Sequence, residues 1–191
     1  FYAIHYGDIR AVEKLLGCDA VDVNHISFDD ITPLLFAVLE GKNKILTKII
    51  QHKDININFN HKNHNALCRA IKLKDETAVK TLLTHKDIDV NVRGKKGVCP
   101  LMLAIMKGQN EVVDALLANS TIDVNQKDDN NRSPLMYAIQ TGDDALIQKL
   151  SSRDDIIISD KDRNFAGKKG CIHLKENKTV SGEVKRKIEV A

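Results

Sequence analysis

The apolar and polar positions along this chain repeat. Apolar pairs recur as Ala11-Val12, Ile45-Leu46, Ala78-Val79, Val112-Val113 and Leu146-Ile147. Four residues on, a second set follows: Leu15-Leu16, Ile49-Ile50, Leu82-Leu83, Leu116-Leu117 and Leu150-Ser151. That spacing lays one apolar stripe along a helix. A shorter apolar stretch precedes each stripe. It is centred on Ala3, Ala37, Ala70, Ala104 and Ala138, each followed by Ile or Val (Ile4, Val38, Ile71, Ile105, Ile139). The punctuation between the two is polar and equally regular. Gly7, Gly41, Lys74, Gly108 and Gly142 stand four residues after each alanine, where glycine takes the left-handed conformation that stops a helix. An extended segment of Asp-Val-Asn type then runs to Asn24, Asn58, Asn91 and Asn125, and a polar turn follows. The next helix opens at Thr32-Pro33, Cys99-Pro100 or Ser133-Pro134. Thr and Ser cap helices, and proline fits the first helical turn, where its missing N–H costs nothing. The predicted unit is helix, glycine stop, helix, extended segment, turn.

The alanines fall 34, 33, 34 and 34 residues apart, a period that belongs to stacked repeats. The helix-opening residues read Thr32-Pro33-Leu34-Leu35-Phe36-Ala37, Asn65-Ala66-Leu67-Cys68-Arg69-Ala70, Cys99-Pro100-Leu101-Met102-Leu103-Ala104 and Ser133-Pro134-Leu135-Met136-Tyr137-Ala138. They closely resemble the Thr-Pro-Leu-His-x-Ala of the ankyrin repeat, over residues 1 to about 160. The resemblance implies an all-α solenoid of antiparallel helix pairs joined by short β-hairpin-like turns. It also implies a protein-binding role for the concave face and the turn tips. Two departures stand out. The family histidine, which helps tie neighbouring repeats by hydrogen bonds, is replaced by Leu35, Cys68, Met102 and Met136. The family's Gly-Ala before Asp-Val-Asn gives way to the longer His52-Lys53-Asp54-Ile55 and His85-Lys86-Asp87-Ile88. The expected organisation is a first partial repeat, then repeats at about 25–58, 59–91, 92–125 and 126–159. Residues 160–191 are expected to form a degenerate capping repeat, because terminal repeats need a polar outer face. There Gly167-Lys168-Lys169-Gly170 would copy the turn Gly94-Lys95-Lys96-Gly97, and Val180–Val190 would form a closing helix.

The chain opens at Phe1 inside a helix, with no initiator Met, signal peptide or transmembrane run, and is read as part of a longer protein. Hydrophobic residues make up 42% of the chain and aromatics only 4%, which suits a flat core shared between neighbours. Cys18, Cys68, Cys99 and Cys171 lack metal or redox spacing and read as free thiols in a reducing, cytoplasmic setting. Richness in Lys, Asn and Ile is the mark of an AT-rich genome. It fits a eukaryotic-like effector of an intracellular bacterium, acting in host cytosol.

Candidate chemistry is sparse. His61 and His64 share one turn, but two ligands do not make a zinc site. His52 and His85 are repeat-equivalent and stand about 8–10 Å apart by helix spacing. Gly94-Lys95-Lys96-Gly97 is no phosphate-binding loop, since Gly-x-x-x-x-Gly-Lys-Ser/Thr is absent. No nucleophile–base or paired-carboxylate arrangement emerges. The expectation is a non-enzyme with no cofactor, no metal and no small-molecule substrate.

Binding is what remains. The exposed positions two and three residues after each alanine are His5-Tyr6, Leu39-Glu40, Lys72-Leu73, Met106-Lys107 and Gln140-Thr141. Tyr6, Leu39, Leu73 and Met106 put apolar groups on a face expected to meet solvent, a candidate protein groove. Among the turn tips, Asp29-Asp30 is acidic, Lys62 lies in a basic to neutral turn, and Arg93, Lys95 and Lys96 are basic. Asp129 and Arg132 lie in a mixed turn. Residues 160–191 carry nine Lys/Arg and five Asp/Glu, against 20 and 21 in the rest, so the excess positive charge is C-terminal. The expected partner of these helix positions and tips is another protein, met by a monomer. One alternative is the substrate-recognition arm of a larger enzyme or effector. Another is an anionic partner, nucleic acid or lipid headgroup, held by the basic turns with steep salt dependence.

Overall fold

The computed structural model describes residues 1–60 and 65–169. Eleven α-helices and no strand occur among them. The helices pair as α1 (Tyr2–His5) with α2 (Ile9–Leu16), α3 (Pro33–Leu39) with α4 (Asn43–Ile50), and α5 (Ala66–Leu73) with α6 (Glu76–Leu83). Then come α7 (Pro100–Met106) with α8 (Asn110–Leu117), α9 (Pro134–Thr141) with α10 (Asp144–Ser151), and α11 (Asp160–Lys169). Two rows result. The first-helix row runs α1, α3, α5, α7, α9, α11, each packed on the next, and α2, α4, α6 and α8 stack behind it.

The periodic columns are the interior of this stack. Ala37, Ala70, Ala104 and Ala138 are fully buried, as are Leu46, Val79 and Ile147 in the second-helix row. Only a small side chain fits where two helix rows approach, which explains the alanine. The glycine stops adopt positive φ, from 64° at Gly41 to 73° at Gly7 and Gly142, and Lys74 takes the same conformation at φ 60°. Thr32, Asn65 and Ser133 cap their helices by accepting the N–H three residues on, at 3.1–3.2 Å. Cys99 makes no such bond. Leu15 is 47% exposed although Leu82 and Leu116 in its column are fully buried, because among the described residues α2 has a stacked neighbour on one side only.

The tie lost with the family histidine is made elsewhere. Asn24, Asn58, Asn91 and Asn125 each reach into the next repeat with both ends of the amide. The amide N–H groups donate to the carbonyls of Asp54, Asp87, Thr121 and Asp155 at 2.6–2.7 Å. The amide oxygens accept the N–H of Asn56, Asp89, Asp123 and Ile157 at 2.7–2.8 Å. Each such bond contributes on the order of 0.5–1.5 kcal/mol net. Ion pairs add to the stitching behind. Lys48 pairs with Glu13 at 2.8 Å, Lys80 with Glu111 at 2.7 Å and Lys149 with Asp114 at 2.6 Å, all between neighbouring repeats.

The end of the stack differs from the sequence expectation. Gly167, Lys168 and Lys169 are helical, inside α11, and form no turn. The helix starts early because Ser159 and Asp162 cap it reciprocally. The Ser159 N–H donates to the Asp162 carboxylate at 2.8 Å, and the Asp162 N–H donates to the Ser159 hydroxyl at 3.3 Å, a capping box. The buried Asp162 also accepts the Ser133 hydroxyl at 2.7 Å, which pins α11 to the start of α9, and Ala166 is buried against the core. The expected closing helix at Val180–Val190 lies outside the described residues, as does Cys171.

Candidate functional site

Three of the turns that join the helix pairs share a backbone hydrogen bond, in which an N–H donates to the carbonyl four residues on: Ser27 to Ile31, Gly94 to Val98, and Asp128 to Arg132, at 3.0–3.1 Å. The fourth residue of each is left-handed: Asp30 at φ 59°, Gly97 at 70° and Asn131 at 61°. The tips therefore project in register beside the first-helix row, and their side chains differ. Phe28, Lys95 and Asp129 hold the same place in successive described turns.

The Gly94–Val98 turn is stitched to its neighbour. Asp129 donates its N–H to the Lys96 carbonyl at 3.1 Å. Arg93 pairs with the Asp129 carboxylate at 3.0 Å and donates to the Lys127 carbonyl at 2.7 Å. Gly97 is needed here. Besides its positive φ, an added Cβ would collide with the Arg93 guanidinium and the Asp129 carboxylate and would sit 2.9 Å from the Asp129 N–H.

One turn further, Asp128 is buried and collects the N–H groups of Asn130 and Arg132, the Arg132 guanidinium and the Tyr137 hydroxyl, all at 2.7–2.9 Å. Burial pushes the Asp128 carboxyl up, but the Arg132 N–H, the Tyr137 hydroxyl and the Arg132 guanidinium outweigh it and hold the group at about 2. Burial and the same carboxylate push Tyr137 up to about 12, and the Arg132 guanidinium lies 4.7 Å from the ring centre. Thus, of the expected contact residues, Arg93 and Asp129 pair with each other across two turns, and Arg132 pairs with Asp128 inside its own.

The other expected residues separate into groups. Tyr6, Leu73 and Met106 are exposed at 77%, 48% and 51%. Leu39 is partly buried, and Glu40 is bound to His5 at 3.0 Å. Lys107 and Gln140 are exposed on the first-helix row, and Lys62 lies outside the described residues. Lys72, Met106, Lys95 and Lys96 converge. They surround an open hollow of about 190 Å³ between α5, the Gly94–Val98 turn and α7, floored by Cys68, Val98 and Leu103. Burial pushes the Cys68 thiol up to about 12, so it is a neutral apolar wall. Lys72, Lys95 and Lys96 pair with no carboxylate among the described residues, in contrast to Lys48, Lys80 and Lys149 on the second-helix row.

Sequence reasoning missed Phe28, which stands fully exposed at its turn tip. The signal was available, since Phe28 holds the turn register of Lys95. His52 and His85 have a structural role: each ring Nδ1 accepts the N–H two residues on at 3.2 Å, closing the loop after its helix.

The family model for ankyrin repeats (3 copies) matches residues 1–94 and 87–162. The chain belongs to the ankyrin-repeat family. No curated protein matches it. Ankyrin repeats generally serve as non-enzymatic modules of protein–protein interaction. In this ankyrin stack the columns that recur from repeat to repeat are consumed by packing and by the asparagine ladder. On the first-helix row Tyr6, Leu73 and Met106 are exposed, as is Phe28 at a turn tip.

Proposed function

We propose that this ankyrin stack grips a partner protein across the first-helix row and the turn tips, with α5, the Gly94–Val98 turn and α7 at the centre of the contact. The observation that carries the reading is the hollow beside Met106, where an apolar floor meets lysines that pair with no carboxylate among the described residues, on a face that also exposes Tyr6 and Leu73. Interfaces concentrate their energy where an apolar anchor enters a pocket and is shielded from water. A few exposed apolar side chains on a surface mean little by themselves. Here one of them, Met106, borders a recess.

Affinity capture from a lysate, read by mass spectrometry, tests this with three forms of the protein. Wild type and Lys44→Glu, a charge change on the exposed side of α4, are expected to recover the same specific partner. Leu73→Glu/Met106→Glu is expected to lose it while keeping the helical circular dichroism of wild type. Full retention of the partner by that folded double variant would overturn the assignment of the face.

A further inference from the structure

The hollow at α5 and α7 has a chemistry specific enough to name what enters it. Its volume, about 190 Å³, equals roughly six waters at liquid density, enough for one large apolar side chain. Its floor offers a neutral thiol and two aliphatic side chains, with the Met106 thioether beside them, and none of these is a strong hydrogen-bonding group. A polar group entering it would lose water without a replacement partner. The rim has the opposite character. Lys72 rises on the α5 side, and Lys95 and Lys96 rise on the turn side.

The backbone holds that rim in place. Lys96 sits at φ 60°, in the left-handed region, and its carbonyl is anchored by the Asp129 N–H at 3.1 Å. The neighbouring arginines do not compete for the same ligand, because Arg93 is held by Asp129 and Arg132 by Asp128.

We propose that the hollow takes an apolar side chain from an extended acidic segment of the partner protein, with carboxylates on either side of that anchor meeting Lys72 and the Lys95–Lys96 pair. This rests on the reading that the first-helix row and turn tips bind protein. Charge complementarity selects the sign of the flanking residues, and the dry floor selects the anchor. A nucleic acid fits less well. Single strands are held by aromatic side chains on which bases stack, and the floor has none. A membrane surface fits less well again, since the apolar groups here are recessed between the lysines.

The test titrates the purified chain with fluorescein-labelled synthetic peptides: one with a central Leu between Asp and Glu residues, one with the Leu changed to Gly, and one with lysines in place of the acids. Oligouridylate and phosphatidylserine vesicles serve as the other two probes. The acidic peptide with Leu is expected to bind saturably, about tenfold or more tighter than either altered peptide. Lys95→Glu/Lys96→Glu is expected to weaken the acidic peptide about tenfold and to gain affinity for the lysine-flanked one. That swap is one a merely destabilised protein would not show. The proposal is overturned if the acidic peptide shows no saturable binding up to about 1 mM. It is also overturned if the charge-reversed protein binds the acidic peptide as wild type does, or if oligouridylate or the vesicles bind as tightly as the peptide. Capture lost with Leu73→Glu/Met106→Glu but untouched by Lys95→Glu/Lys96→Glu would remove this inference and leave the protein-binding face standing. Capture that survives both variants would remove the face as well.

Discussion

The asparagine ladder and the first-helix face occupy the same repeats and follow opposite rules. Along the ladder, Asn24, Asn58, Asn91 and Asn125 make the same pair of bonds four times over, within 0.1 Å of one another on each side. Along the face, the positions two residues after the alanine read His5, Leu39, Lys72, Met106 and Gln140, and no two are alike. Stacking presents each repeat with the same problem, a neighbouring repeat, so the solution recurs. The face positions are not fixed by a neighbouring repeat, so packing does not hold them to one residue. In a solenoid, identity between repeats therefore marks stacking, and the proposed recognition would use the register that stacking leaves free to vary.

Two leucines of one repeat separate the two regions most strongly. Leu82 is fully buried and Leu73 is 48% exposed. Leu82→Ala is expected to cost about 3 kcal/mol in urea denaturation, and Leu73→Ala less than about 0.5 kcal/mol. Equal costs would show that the face is part of the core. The ladder comes next in size. Asn91→Ala removes two bonds to the next repeat and leaves the Asp123 N–H without its acceptor. The expected loss is about 2 kcal/mol, with a broadened transition if the stack uncouples there, since repeat stability depends on nearest-neighbour interfaces.

A smaller effect concerns the turn that adjoins the face. The Asp128 carboxyl titrates at about 2 when folded, below the usual carboxylate value of about 3.9. Its contribution is therefore present above that ordinary value and lost as pH falls through 2. Asp128→Asn is expected to destabilise by about 1–2 kcal/mol near neutrality. The gap to wild type should close between about pH 4 and pH 2 in thermal melts. A gap of constant size across that range would mean that shape rather than charge holds Arg132 and Tyr137.

Much of the fold was legible in the sequence because its determinants are local and repeated. A buried alanine, a left-handed stop and a Thr-Pro or Ser-Pro opening each leave a mark at one position, and the period multiplies it. The asparagine column was legible as a recurrence but not as a tie, because its partners are backbone atoms, which leave no residue signature. The end of the stack was misread for a related reason. Gly167-Lys168-Lys169-Gly170 matches an earlier turn letter for letter, yet the capping box of Ser159 and Asp162 commits the chain to helix before that match begins. At the candidate site the exposed residues were legible, while the hollow was not. Cys68, Leu103 and Met106 belong to different columns, and only the approach of α5, a turn and α7 brings them together. The pairing of Arg93 with Asp129 was hidden in the same way, since two turns in different repeats must first lie side by side.

On the proposed reading, recognition and stacking reside in separable residues. The most direct measurement is the urea denaturation of Leu73→Glu/Met106→Glu beside wild type, followed by circular dichroism. Wild-type helix content, an unchanged slope and a stability within about 1 kcal/mol of wild type are expected, since both side chains are about half exposed and an added carboxylate there reaches water. A protein that loses its helices, or a loss approaching the several kcal/mol of a buried charge, would contradict that reading and place both side chains in the core.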